Sequence, residues 1–188
     1  MSMFYYMAAS RELPTGVFGT KKTVMKLGDY LTHVNPAARG QFPIRALLDK
    51  YPEDEQLIDI YDTEEDAAGL YVGGPMSGQD ISHLFRHPMV YPIAPQGGSF
   101  SMNNEMKERY PNVYTTGRKC LAELFRYLNR HMNAGEELEL FSCWADGPER
   151  FRQPRNKGLD LIIQLSEFRF EERAEFEWKD QQYIVVRK

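Results

Sequence analysis
Cysteine is scarce in this sequence: Cys120 and Cys143 are the only two. Neither belongs to a C-x-x-C pair, and two thiols cannot build a disulfide framework, so the composition fits a reducing, cytoplasmic compartment. Long apolar runs are missing too. No stretch approaches the roughly 20 residues that a membrane helix needs, so no membrane partner is expected. The apolar opening, Met1 to Ala9, is short, lacks a basic leader and is stopped by Arg11-Glu12, which makes it a poor signal peptide. Charge of one sign is in short supply: the formal net charge is -4 over 188 residues. That field is too weak to argue for nucleic acid as a dedicated partner. Linkers, low-complexity tracts and internal repeats are lacking, so one domain over residues 1–188 is expected.

Several signature motifs are lacking as well. Gly73-Gly74-Pro75-Met76-Ser77-Gly78 and Gln96-Gly97-Gly98-Ser99 have neither the Lys-Ser/Thr of a P-loop nor the G-x-G-x-x-G of a dinucleotide site, and both read as turns. No G-x-S-x-G elbow occurs. His83 and His87 stand four apart, but the glutamate of H-E-x-x-H is absent and Pro88 pushes His87 out of helical geometry. The acidic run from Glu53 to Asp66 lacks the glycine and closing glutamate of an EF-hand. Helix N-terminal preference and solvation account for it. No metal site is therefore expected, and no cofactor is identified.

What is present suffices for a packed core: 42% hydrophobic and 13% aromatic residues. Met3 to Ala9 is apolar on both faces, the mark of a central, covered strand. Thr23 to Val34 and Phe42 to Tyr51 carry apolar residues at helical spacing, although Gly28 weakens the first. Leu57 to Tyr61 reads as a strand. Thr63 then caps a short acidic helix, and Leu70 to Val72 returns as a strand. From Gly73 to Thr116 prolines and glycines are dense enough to expect long loops with short elements. Gly117 to Met132, with Thr116 as its N-cap, is the best helix, with Leu121, Leu124, Phe125 and Leu128 on one side and Arg118, Lys119, Glu123, Arg126 and Arg130 on the other. After it, period-two alternation through 137–144, 159–165, 175–179 and 184–186 predicts a C-terminal β-meander closed by a hairpin at Lys179-Asp180-Gln181. The expected class is α+β, with an antiparallel or mixed sheet and helices mainly on one face.

Two groups of residues carry candidate chemistry. Arg150, Arg152, Arg155 and Lys157 place four cations on one loop, a pattern suited to gripping phosphate, a nucleotide or an acidic partner. The basic side of the 117–132 helix extends that patch if the fold brings the two together. Cys143, in Phe141-Ser142-Cys143-Trp144-Ala145-Asp146-Gly147, lies near a strand end with Asp146 close by, and the pair is a candidate reactive centre. Period-two counting puts Cys143 on the face of Phe141, opposite Trp144, so packing is its default role.

Phe4-Tyr5-Tyr6-Met7-Ala8-Ala9-Ser10 with Leu13-Pro14-Thr15-Gly16, Ile60-Tyr61-Asp62-Thr63-Glu64-Glu65-Asp66-Ala67-Ala68-Gly69, and Phe141-Ser142-Cys143-Trp144 before a run of strands together resemble small uncharacterised proteins of Gram-positive bacteria. The resemblance implies a bacterial, cytosolic origin and carries over no site. Three functional readings follow, in order of expectation. The first is a non-enzymatic binding or accessory protein for a protein or small molecule. The second is a small-molecule enzyme or nucleotide/anion-binding protein built on Cys143, Asp146 and the 150–157 loop. The third is a nucleic-acid accessory protein using the same loop.

Overall fold
The structure is a computed structural model and describes residues 3–52, 55–77, 81, 83–144, 151, 155–170, 173 and 175–188. In chain order the strands are β1 (Met3–Ala9), β2 (Gly16–Phe18), β3 (Thr23–Lys26), β4 (Leu57–Ile60), β5 (Gly69–Val72), β6 (Met89–Gln96), β7 (Ser101–Met102), β8 (Glu137–Trp144), β9 (Leu161–Gln164), β10 (Phe176–Glu177) and β11 (Gln182–Arg187). The α-helices are α1 (Leu27–Asp29), α2 (Phe42–Leu48), α3 (Glu64–Ala67), α4 (Asn104–Arg109) and α5 (Pro111–His131). The protein is α+β with a mixed sheet. No helix among the described residues is long and apolar enough to cross a membrane.

The chain forms two compact units: a body of residues 1–20 and 68–188, and an insertion of residues 21–67. The body is built on a seven-stranded sheet in the order β2-β5-β6-β1-β8-β11-β9. Every neighbouring pair is antiparallel except β11 and β9, which run parallel. β1 sits at the centre, as its two apolar faces require. Met7 and Ala9 enter one core with Leu121, Leu124 and Leu128 of α5. Tyr6 and Ala8 enter a second core on the opposite face, with Phe85, Phe141 and Cys143.

Three elements of the body differ from the sequence reading for identifiable reasons. β6 runs through Pro92 and Pro95, where loops were expected. The carbonyls of Val90 and Pro92 accept from the N–H groups of Met76 (2.7 Å) and Gly73 (2.8 Å), so this edge stays bonded without a proline donor. A side chain at Gly73 would press on the Pro92 ring, its Cβ 2.8 Å from Cγ, and glycine makes the approach possible. By strand alternation Pro95 turns its missing N–H toward β1, whose pairing has already ended at Ile93. α5 starts six residues before Gly117, at Pro111, because proline at a first helical position costs no hydrogen bond. Thr116 is consequently inside the helix, its hydroxyl donating to Asn112 O (3.0 Å), rather than at its N-cap. Glu123, expected in solvent, is buried on α5 and bonded to Arg126. It stands where a side chain at Gly19 (φ +81°) would go.

The C-terminal run is strand-rich, but its pairing does not follow sequence order. β10 pairs with β7, and β9 crosses to the outer side of β11. Lys179 to Gln182 is a turn, with Gln182 N–H donating to Lys179 O, yet the strands on its two sides enter different sheets.

In the insertion β3 and β4 form a two-stranded ribbon. Thr23 to Lys26 is thus strand rather than helix. Its Thr-Val pair suits an extended chain, and Leu57 to Ile60 supplies the partner. The helical turn begins only at Leu27 and continues as a wider π-type turn over Tyr30–Val34. Thr63 does hold the start of α3, accepting from Asp66 N–H at 3.0 Å. The core of this unit is small: Leu27, Leu31 and Ala38, ringed by Ile44, Leu47 and Ile58.

Candidate anion-binding cleft
β8 and β11 lie side by side, and on the face away from α5 they present residues of odd number. From β8 come Glu137, Glu139, Phe141 and Cys143, and from β11 come Tyr183, Val185 and Arg187. Phe141, Cys143, Tyr183 and Val185 make an apolar floor. Glu139 is fully buried in it. A carboxylate there is tolerable only when its oxygens are fully bonded.

They are. Arg86 Nε donates to Glu139 at 2.7 Å, and the backbone N–H groups of Arg86 and His87 donate at 2.9 and 3.1 Å. Tyr183 adds its hydroxyl proton. Burial alone would raise the carboxyl pKa, but the bonds from Tyr183 and Arg86 outweigh it and hold Glu139 below the ordinary carboxylate range. Burial, with Glu139 as acceptor, pushes the Tyr183 phenol up to about 12. Glu137 completes the set, bonded to Arg187 Nε at 2.6 Å and to Arg86 at 2.9 Å. Those two guanidiniums lower its pKa.

A cleft of about 740 Å³ opens over this floor. Arg86, Arg155, Lys157 and Arg187 line it together with Tyr183, Ile162 and Val185. The guanidinium of Arg155 lies 4.0 Å from the centre of the Tyr183 ring and pairs with Asp160 at 3.2 Å. Its loop is tied to the turn just before β11 by Asn156 N–H donating to Gln181 O at 3.0 Å. Four cations thus converge on one cleft whose nearby carboxylates are Glu137, Glu139 and Asp160. Arg86 remains 59% exposed although its Nε is bonded to Glu139 and a terminal nitrogen to Glu137.

Of the four cations singled out in the sequence, Arg155 and Lys157 are in the cleft, whereas Arg150 and Arg152 lie outside the described residues. The basic side of α5 does not extend the patch. α5 packs on one face of the sheet and the cleft opens on the other. Cys143 is fully buried in the second core, as its strand parity indicates, and Asp146 lies outside the described residues. Cys120 is buried too, its thiol donating to Gln96 O at 3.3 Å, and burial pushes its pKa up. Among the described residues no three His, Cys, Asp or Glu side chains gather to hold a metal ion. His83 instead bonds the Phe151 carbonyl at 2.6 Å.

Arg86, Tyr183, Arg187, Glu137 and Glu139 escaped the sequence reading. One signal was available. Glu139 shares its period-two face with Phe141 and Cys143, so that face is apolar, and a glutamate on it needs a partner. Compared with known proteins, the chain matches no family model, no curated protein and no solved structure.

Proposed function
We propose that the protein is a binding protein that holds an anionic group in the cleft over β11. One observation carries this reading: four cationic side chains from three separate chain segments converge on a single concave, partly apolar surface. Fixed guanidiniums suit carboxylate and phosphate, because their donors are pre-oriented and little side-chain freedom is lost on binding. The apolar walls add contact area for the rest of the ligand, and the cleft volume falls in the range of small-molecule sites. Binding rather than reaction is the simpler role. The cleft lining is dominated by cationic donors and apolar walls, its carboxylate Asp160 is paired with Arg155, and the nucleophile suggested by the sequence, Cys143, is buried.

Calorimetric titration with inorganic pyrophosphate and with a tricarboxylate tests it. Binding is expected at low salt, weakening as salt rises, and falling at least tenfold in an Arg155→Ala/Lys157→Ala double variant. No binding of either anion, or equal binding by the double variant, would overturn the reading.

A further inference from the structure
β9 is the last strand of the sheet, and no strand lies on its outer side among the described residues. Sheet edges are ordinarily blunted by lysine, proline or a bulge. β9 reads Leu-Ile-Ile-Gln, with Leu161 48% and Ile162 59% exposed. Leu165 N–H donates inward to Arg187 O. By alternation, Ile163 and Leu161 also turn their backbone groups inward, while the N–H and C=O of Ile162 and the N–H of Gln164 point outward. The Gln164 carbonyl is taken by the turn that follows, accepting from Phe168 N–H at 2.9 Å.

Both faces beside this edge are hollow. Ile162 borders the basic cleft. On the α5 face a second cavity of about 490 Å³ is lined by Leu161, Ile163, Phe168, Phe176 and Ile184. Side chains of an added strand alternate between faces, so they would enter the two hollows in turn. One hollow is cationic, and the other is aromatic and aliphatic at its centre with Glu167, Arg173 and Glu177 also in its lining.

Resting on the anion-binding reading of the cleft, we infer that its ligand is an extended segment of a partner protein in which acidic and apolar residues alternate. That segment adds to the sheet beside β9. Its backbone bonds Ile162 and Gln164, its acidic side chains face Arg155 and Lys157, and its apolar ones enter the cavity at Phe168 and Phe176.

The test uses an end-blocked heptapeptide of alternating glutamate and valine, titrated calorimetrically. Two further versions carry N-methyl groups on every glutamate or on every valine. In an extended strand all glutamate N–H groups point to one edge and all valine N–H groups to the other. One methylation pattern should therefore weaken binding about tenfold or more, and the other should change it little. Pyrophosphate should displace the parent peptide. A Gln164→Pro variant, which removes an outward donor that β11 does not use at a position outside the cleft lining, should lose peptide binding while keeping pyrophosphate binding.

Pyrophosphate binding without peptide binding, or equal effects of the two methylation patterns, would overturn the edge inference and leave the cleft reading standing. Failure of both probes would remove both. Peptide binding that pyrophosphate does not displace would separate the edge from the cleft and overturn the inference. A dimer mass for the protein alone by native mass spectrometry, abolished by Gln164→Pro, would make the occupant a second copy and overturn it as well.

Discussion
The body and the insertion solve the folding problem with different means. The body buries two cores on the two faces of one sheet and closes its buried charge with a full set of donors. The insertion, 47 residues from Lys21 to Ala67, has three buried apolar residues at its centre and leaves Phe42 84% exposed. Val24 and Leu57 are exposed together on one side of its ribbon. Charge divides the same way: the insertion has six Lys or Arg against ten Asp or Glu, which accounts for the whole formal charge of -4 and leaves the body neutral. A neutral body can concentrate cations in one cleft without a strong overall field. A small, acidic, thinly packed unit is expected to open locally before the rest.

The largest effect that sharpens this contrast is Leu124→Ala in α5. It should cost the body about 2–5 kcal/mol, read by urea unfolding, because Leu124 is fully buried in the larger core. A loss under about 1 kcal/mol would mean that this core tolerates voids. Glu139→Ala should follow at about 2–4 kcal/mol, since it leaves Tyr183 and two backbone donors unbonded.

Acid should act on the body through the same group. Glu136, Glu137 and Glu139 all have pKa values below the ordinary carboxylate range. In acid the unfolded chain therefore binds more protons than the folded one. Their contribution is complete above the unfolded carboxylate pKa and is lost as pH falls through the folded values. Glu139→Gln should flatten the fall of stability with acid. A slope as steep as in the parent protein would show that Glu139 is not responsible.

In the insertion, Leu31→Ala should abolish amide-exchange protection within residues 21–67 and leave protection in β1 and β8 as it was. Loss of protection throughout the chain would dissolve the distinction between the units. Smallest of all, Phe42→Ser should change stability by no more than about 0.5 kcal/mol.

Legibility in the sequence followed the same divide. β1 was readable as a continuous apolar run, and α5 and β8 from a dominant period, although Glu123 and the start of α5 were not. β6 was hidden by Pro92 and Pro95, whose lost donors matter only if the neighbouring strands are known. β3 was read as helix because a four-residue ribbon strand depends on a partner 37 residues away, Thr23 opposite Ile60. The cleft was half readable. Arg155 and Lys157 stand out as a local cluster, but Arg86 and Arg187 join them only through Glu137 and Glu139, and such tertiary pairing leaves no local trace.

The central position of β1 has a consequence for synthesis. Tyr5 is paired with Ile93 on one side and with Ser142 on the other. The strand that ends in the middle of the sheet leaves the ribosome well before either neighbour exists. At about 5–20 residues per second, several seconds separate its emergence from that of β8. Until β6 emerges, Tyr6, Met7, Ala8 and Ala9 have no neighbouring strand to pair with, and until β8 emerges one edge of β1 stays unpaired. The centre of the sheet is therefore completed only after β8 has been made, so its last pairing is separated from its first strand by most of the chain.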